Sequence, residues 1–249
     1  MAILSHRYKF IFLKSRKTAG SSIEIALGPL CGPEDVLHPT RDGRAFGLRE
    51  RNNRKARADR AVSDYLGVAW GLRRRPRQLQ WKRIRKHAER ILPDSHTTAA
   101  EARQAVAPEH WNGYYKFCFE RNPFDRLVSF YHWRTSKLEE KPAFREFALA
   151  AISDDGARQK RYRAARFPNR PFYLIDGELA LERVCRFENL ERELGEVAEL
   201  LGIPWDGTLP NAKGSYRKER TYREYYDAEL KRACERAFET ELALFGFSF

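Results

Sequence analysis

Two short segments of the chain hold residue types suited to gripping and polarising an anion. Lys14-Ser-Arg-Lys-Thr-Ala-Gly-Ser-Ser22 follows the apolar, β-rich run Tyr8 to Leu13 and precedes SSIEIAL, where Ile23, Ala26 and Leu27 recur at helical spacing. A loop between a strand and a helix aims backbone N–H groups and the positive end of the helix dipole at one point. Lys17 and two hydroxyls join them there, so the segment reads as an anion cradle. An ordinary βα turn with a surface lysine is the plainer alternative. The lysine precedes the single glycine, so the GxxxxGK[ST] spacing of a Walker A loop is absent and a nucleoside triphosphatase is disfavoured.

The second segment, Glu120-Arg-Asn-Pro-Phe-Asp-Arg-Leu-Val-Ser129, places Arg121 just past another apolar run and Ser129 two helical turns further on. A guanidinium there can hold a phosphate through two hydrogen bonds. It could equally pair with Asp125 at the i, i+4 spacing. Two anion sites on one sheet edge suggest a doubly phosphorylated nucleotide.

The elements that must position these loops follow from periodicity. YYKFCF from Tyr114 predicts a buried strand; Asn122 then serves as N-cap, Pro123 occupies the first helical position, and Phe124, Leu127, Val128 and Tyr131 form an inward stripe. A third strand is expected over Arg183 to Phe187, leading to a helix marked by Leu190, Leu194, Val197 and Leu201 that stops at Gly202 and Pro204. A last helix, capped by Asp227, is expected to run through DAELKRACERAFETELALFGF. Strands alternating with helices predict an α/β fold whose parallel sheet is covered on both faces and binds ligands beyond its strands' carboxyl ends, where both loops fall.

Length and composition agree with one globular domain: 249 residues, 42% hydrophobic and 13% aromatic. The net charge of +13 calls for an anionic partner, and it is concentrated. Between Arg41 and Arg90 stand 17 Lys or Arg against five Asp or Glu, and the rest is nearly neutral. Residues 41 to 92 are therefore expected to form a basic, mostly helical insertion, with Trp70 and Trp81 able to anchor it at an anionic membrane surface or the whole lobe simply solvated. No apolar window is long enough to span a bilayer and MAILSHRYKF lacks the apolar core of a secretory signal, which predicts a cytoplasmic protein, peripheral at most to a membrane. Cys31, Cys118, Cys185 and Cys234 are widely spaced, with no CxxC pair, and read as reduced, half-buried thiols, with no metal site expected.

KTAGSS after a first strand, together with FERNPFDRLVSFY after a later one, resembles the sulfotransferases that use 3′-phosphoadenosine-5′-phosphosulfate (PAPS), and is similar to their bacterial and carbohydrate-type branch. The resemblance extends to His96 in HTTAAEAR, to RFENL at Arg186 to Leu190, and to AKGSYRKERTYREYY. It implies a three-layer, P-loop-like fold. By resemblance, Lys17, Thr18, Ala19, Gly20, Ser21 and Ser22 bind the 5′-phosphosulfate and Arg121 and Ser129 the 3′-phosphate. Lys213, Gly214 and Arg217 resemble a loop closing over the nucleotide. Arg16 departs from the family, where many relatives carry proline; the fixed φ is lost and a cation gained.

Such an enzyme moves a sulfuryl group to a hydroxyl, on a carbohydrate or glycolipid-type acceptor by resemblance. The reaction parallels phosphoryl transfer, with the attacking and leaving oxygens roughly in line and charge building on the leaving phosphate. Lys17 would stabilise that charge and His96 would accept the hydroxyl's proton. Glu24 and Asp94 are rival bases; His87, His110 and His132 are weaker ones. A nucleic-acid-binding module would use RRRPRQLQWKRIRK but ignores both loops, so nucleic acid is not the expected partner. An ATP-dependent small-molecule kinase would need magnesium and an acidic ligand for it, and no convincing acid stands at a strand end.

Overall fold

The structure, a computed structural model, describes residues 1–52, 96–165, 167–210 and 221–249. The chain opens on β1 (Ile3–Ser5), turns at Lys9 and returns as β2 (Phe10–Phe12), which leads through the first candidate loop into α1 (Gly20–Leu27). β3 (Val36–Leu37) and α2 (Arg41–Ala45) follow, then α3 (Ala99–Ala105), α4 (Pro108–Gly113), β4 (Tyr115–Glu120) and α5 (Pro123–Thr135). Beyond these come α6 (Phe144–Ala151), α7 (Gly156–Arg161), the small hairpin β5 (Leu174–Ile175) and β6 (Glu178–Leu179), β7 (Arg183–Arg186), α8 (Leu190–Leu200), α9 (Ala228–Ala237) and α10 (Glu239–Phe245).

The main sheet has the order β3-β1-β2-β4-β7, and its β2, β4 and β7 run parallel. Those are the three strands that the sequence predicts. The sheet as a whole is mixed, because β1 pairs antiparallel with both β2 and β3. Alternation along the strands builds the layers. Phe10, Phe12, Phe117 and Phe119 turn to one face and pack with Ile23 and Leu27 of α1 and Leu194 and Val197 of α8. Ile11, Leu13 and Cys118 turn to the other, against Ala99 and Ala102 of α3 and Trp111 of α4. With both faces covered, the chain has the three-layer α/β architecture expected of it.

A third cluster lies past the carboxyl end of β4, where Phe124, Leu127, Phe130 and Tyr131 of α5 pack with Phe147 of α6, Phe167, and Leu230 and Cys234 of α9. Helix α5 starts as its sequence dictates: the Asn122 side chain accepts from the Phe124 N–H at 3.0 Å, and Pro123 sits at the first position. Helix α8 ends at Leu200, and Gly202 supplies the left-handed φ of 64° that turns the chain away.

Two expectations need correction. The single C-terminal helix is two, α9 capped by Asp227 and α10, with the break at Phe238. The cysteines are buried rather than half-buried, with at most 7% exposure. At the start of the stretch read as an insertion, Leu37 bridges Arg51, and the Arg51 guanidinium donates to the carbonyls of Cys31 and Gly32. The remainder of that stretch, with Trp70 and Trp81, lies outside the described residues.

Candidate active site

The loop from Lys14 to Ala19 is held by its own hydroxyls and by β4. Ser15 Oγ hydrogen-bonds the Phe119 carbonyl and lies 2.7 Å from Thr18 Oγ1. Lys17 and Ala19 both take left-handed φ angles, 61° and 59°, which non-glycine residues adopt at a cost and which recur where backbone is shaped for a ligand. Helix α1 then begins with no side-chain cap and no acid in its first turn. Its leading N–H groups and dipole are thus left to favour an anion. Gly20 is required by close packing: a Cβ there would stand 2.5 Å from Cγ of Lys14.

Beneath the loop, Lys14 is buried and ion-paired with the fully buried Glu24 at 2.8 Å, and the Glu24 carboxylate also accepts from Thr40. Glu24, a rival base in the sequence, therefore neutralises a buried cation and is not among the side chains that line the cavity above. Ser21 donates toward Asp42 at 3.2 Å and lies within 3.3 Å of Lys14 Nζ, so one of the two loop hydroxyls is part of this support.

The second segment meets the first across one cavity of about 580 Å³. Lys17 through Ser22 line it, and so do Arg121 and Ser129. Among the described lining residues are Lys14, Arg16, Lys17, Arg121 and Arg134, together with His96 and His132, and none is Asp or Glu. That balance gives the cavity a positive field. Arg121 stacks on the Phe187 ring at 4.2 Å and its Nε donates to Asp125 at 2.8 Å. The i, i+4 pairing allowed by the sequence is thus formed, and it coexists with a place in the cavity wall.

His96 also lines the cavity, and its Nδ1 is 3.0 Å from the Lys14 carbonyl oxygen. A carbonyl only accepts, so Nδ1 carries a proton and Nε2 is the basic nitrogen of the neutral ring. His132 reaches the cavity from α5, with Nε2 2.8 Å from the Tyr225 hydroxyl. His110 meets His6 edge-on and lies tilted against Tyr114, and it is not among the described lining residues. His87, Asp94, Lys213, Gly214 and Arg217 lie outside the described residues.

Among the lining or supporting residues that escaped the sequence reading are Trp133 and Asn169. Trp133, one helical turn past Ser129, carries the Lys17 ammonium 5.4 Å from its ring centroid. The i, i+4 spacing from Ser129 was signal enough to find it. Asn169, fully buried, hydrogen-bonds the backbone of Arg16, and nothing in its sequence neighbourhood announces that.

Comparison with known proteins adds three findings. A protein of Archaeoglobus fulgidus, described as uncharacterised, is 29% identical over 103 residues, which cover 41% of this chain and 79% of that one. The crystal structure of a sulfotransferase from Alicyclobacillus acidocaldarius aligns over 97% of this chain and 96% of its own, at 19% identity and a TM-score of 0.44. The family model described as the sulfotransferase family matches residues 1–248, and on that match the chain belongs to the sulfotransferase family.

Proposed function

We propose that the chain transfers the sulfuryl group of PAPS to a hydroxyl of a carbohydrate or glycolipid-type acceptor, with the donor's two phosphates held at opposite sides of the cavity. The observation that carries this reading is the shared wall: Lys17 to Ser22 and Arg121 with Ser129 line one cavity of about 580 Å³. Two cationic pockets within a single cleft suit a ligand with separated phosphates, and the volume lies in the usual range for small-molecule sites. Family membership supports the reaction class; the donor and acceptor rest on the resemblance of the motifs.

In this mechanism Lys17 and the loop N–H groups stabilise charge as the bond from sulfur to the phosphate oxygen breaks. His96 Nε2 accepts the acceptor hydroxyl's proton as the new sulfur–oxygen bond forms. The Lys14 carbonyl holds the imidazole in the tautomer this requires. Lys213, Gly214 and Arg217 are proposed to close over the nucleotide, and the basic stretch to contact an anionic membrane or glycan.

Titration calorimetry with 3′-phosphoadenosine 5′-phosphate, the desulfated donor, tests the binding mode. Saturable heat and a raised unfolding temperature are expected. No heat with that nucleotide, together with no transfer from labelled PAPS to a panel of glycan, lipid and small-hydroxyl acceptors, overturns it.

A further inference from the structure

The two anion pockets are far apart in sequence, yet the bound nucleotide proposed above requires a fixed distance between them. One buried side chain joins them. Asn169 Oδ1 accepts from the Arg16 N–H at 3.0 Å, while its Nδ2 donates to the Arg16 carbonyl at 3.1 Å and to Glu120 Oε1 at 3.1 Å. Glu120 Oε1 also accepts from the Arg121 N–H at 2.9 Å. A continuous hydrogen-bonded path thus runs from the residue before Lys17, through Asn169 and Glu120, to the residue that forms the second pocket.

The amide is the group this position demands. Its oxygen faces an N–H and its NH₂ faces a carbonyl and a carboxylate, so both NH₂ hydrogens and the oxygen are used and neither end can be exchanged for the other. Asn169 is fully buried, and Glu120 is 1% exposed. Buried hydrogen bonds of this kind are costly to leave half-made. The pairing also needs an N–H at position 16, which Arg16 supplies and proline would lack.

The geometry points to Asn169 as a positioning residue that sets the spacing between the 5′ and 3′ anion pockets. The inference rests on the proposed nucleotide reading for its purpose, though the hydrogen-bonded path does not. When two pockets act on one ligand, the second contact is intramolecular and its value depends on spacing; each pocket alone is indifferent to it.

Calorimetry on the full chain compares the wild type with Asn169→Ala, using 3′-phosphoadenosine 5′-phosphate, adenosine 5′-monophosphate and adenosine 3′-monophosphate. Affinity for the bisphosphate is expected to fall about 10- to 100-fold and for either monophosphate less than about threefold. Equal losses for all three, or an unchanged bisphosphate affinity, overturn the proposal. Asn169→Ser, which keeps a polar atom but cannot span both partners, takes the place of the alanine variant if that one fails to fold. Amide hydrogen exchange on the nucleotide-free protein gives a reading that needs no ligand: exchange should quicken together at Arg16 to Ser22 and at Arg121, with β2 and β4 unchanged. Quickening confined to the neighbourhood of residue 169, or spread through the sheet, overturns it. A wild type that binds none of the three nucleotides sinks the donor reading instead, and the exchange result then decides the role of Asn169.

Discussion

Lys17 holds a left-handed φ on the cavity wall, with its ammonium over Trp133 and its neighbours Ser15 and Thr18 tied to each other. Its side chain is half-buried on that wall. Lys17→Ala should therefore leave the circular dichroism spectrum and unfolding temperature unchanged and reduce turnover by about 10²- to 10³-fold, the usual worth of one donor to a developing anion. Turnover within about threefold of the wild type would remove Lys17 from the chemistry. His96 makes a different prediction because it is proposed to handle the acceptor's proton. His96→Ala should lower kcat by about 10²- to 10⁴-fold while the affinity for 3′-phosphoadenosine 5′-phosphate changes little. A matched loss of affinity would make it a binding residue. Their place on the cavity wall was legible in the sequence, since both stand in motifs. Asn169 was not, because its role is a distance between two loops that only the folded chain brings together.

At the scale of elements, the parallel strands and their helices were legible because long apolar runs and caps such as Asn122 mark them locally. β1 was missed: three residues beside the N-terminus are too short for a periodic signal, and its antiparallel partnership is set by β2 and β3. The break between α9 and α10 has no Gly or Pro either. It falls at Phe238, whose buried ring lies 5.5 Å from the Arg126 guanidinium, so tertiary packing imposes it. Arg126 of α5 is itself wholly buried, with Glu120 of β4 at 3.4 Å and Glu241 of α10 at 3.8 Å. Burial raises the Glu120 carboxyl above its usual range despite the nearby guanidinium. That shift favours the folded state fully below the unfolded carboxylate's pKa, and the benefit is lost as pH rises through the raised value. Arg126→Met would leave two buried carboxylates without their cation and should cost about 3–5 kcal/mol at pH 7. Urea unfolding at pH 7 and pH 5 checks this. The cost should shrink at pH 5, because burial already raises the Glu120 carboxyl and a protonated Glu120 no longer needs the cation, and a cost equal at both pH values would show that the cluster is held by packing alone.

Across the whole molecule, the same two-sided burial that makes the sheet a rigid platform also governs the thiols. Cys118 and Cys185 lie on β4 and β7, Cys31 follows α1 and Cys234 lies on α9, so each of the three apolar clusters holds one or more of them. The sequence, which shows only spacing, leaves them half-buried; depth of burial depends on which strand faces meet which helices. Burial pushes Cys31, Cys185 and Cys234 up to about 12, and raises Cys118 as well. At pH 8 the thiolate fraction of a group at pKa 12 is about 10⁻⁴, and the thiolate is the reactive form. Labelling of the native protein with a disulfide reagent should thus proceed only as fast as the protein opens, and four equivalents should react at once in denaturant. The sign of the pH effect follows from the same shifts. Between pH 9 and about 12 the unfolded thiols lose protons that the folded ones keep, so stability contributed by the thiols is full below pH 9 and falls above it. A urea midpoint that drops from pH 8 to pH 10, beside native thiols that stay unlabelled on the time scale of free cysteine, is the expected pair of results. A single thiol that labels rapidly in the native protein would instead reveal an opening of one apolar cluster that leaves the others closed.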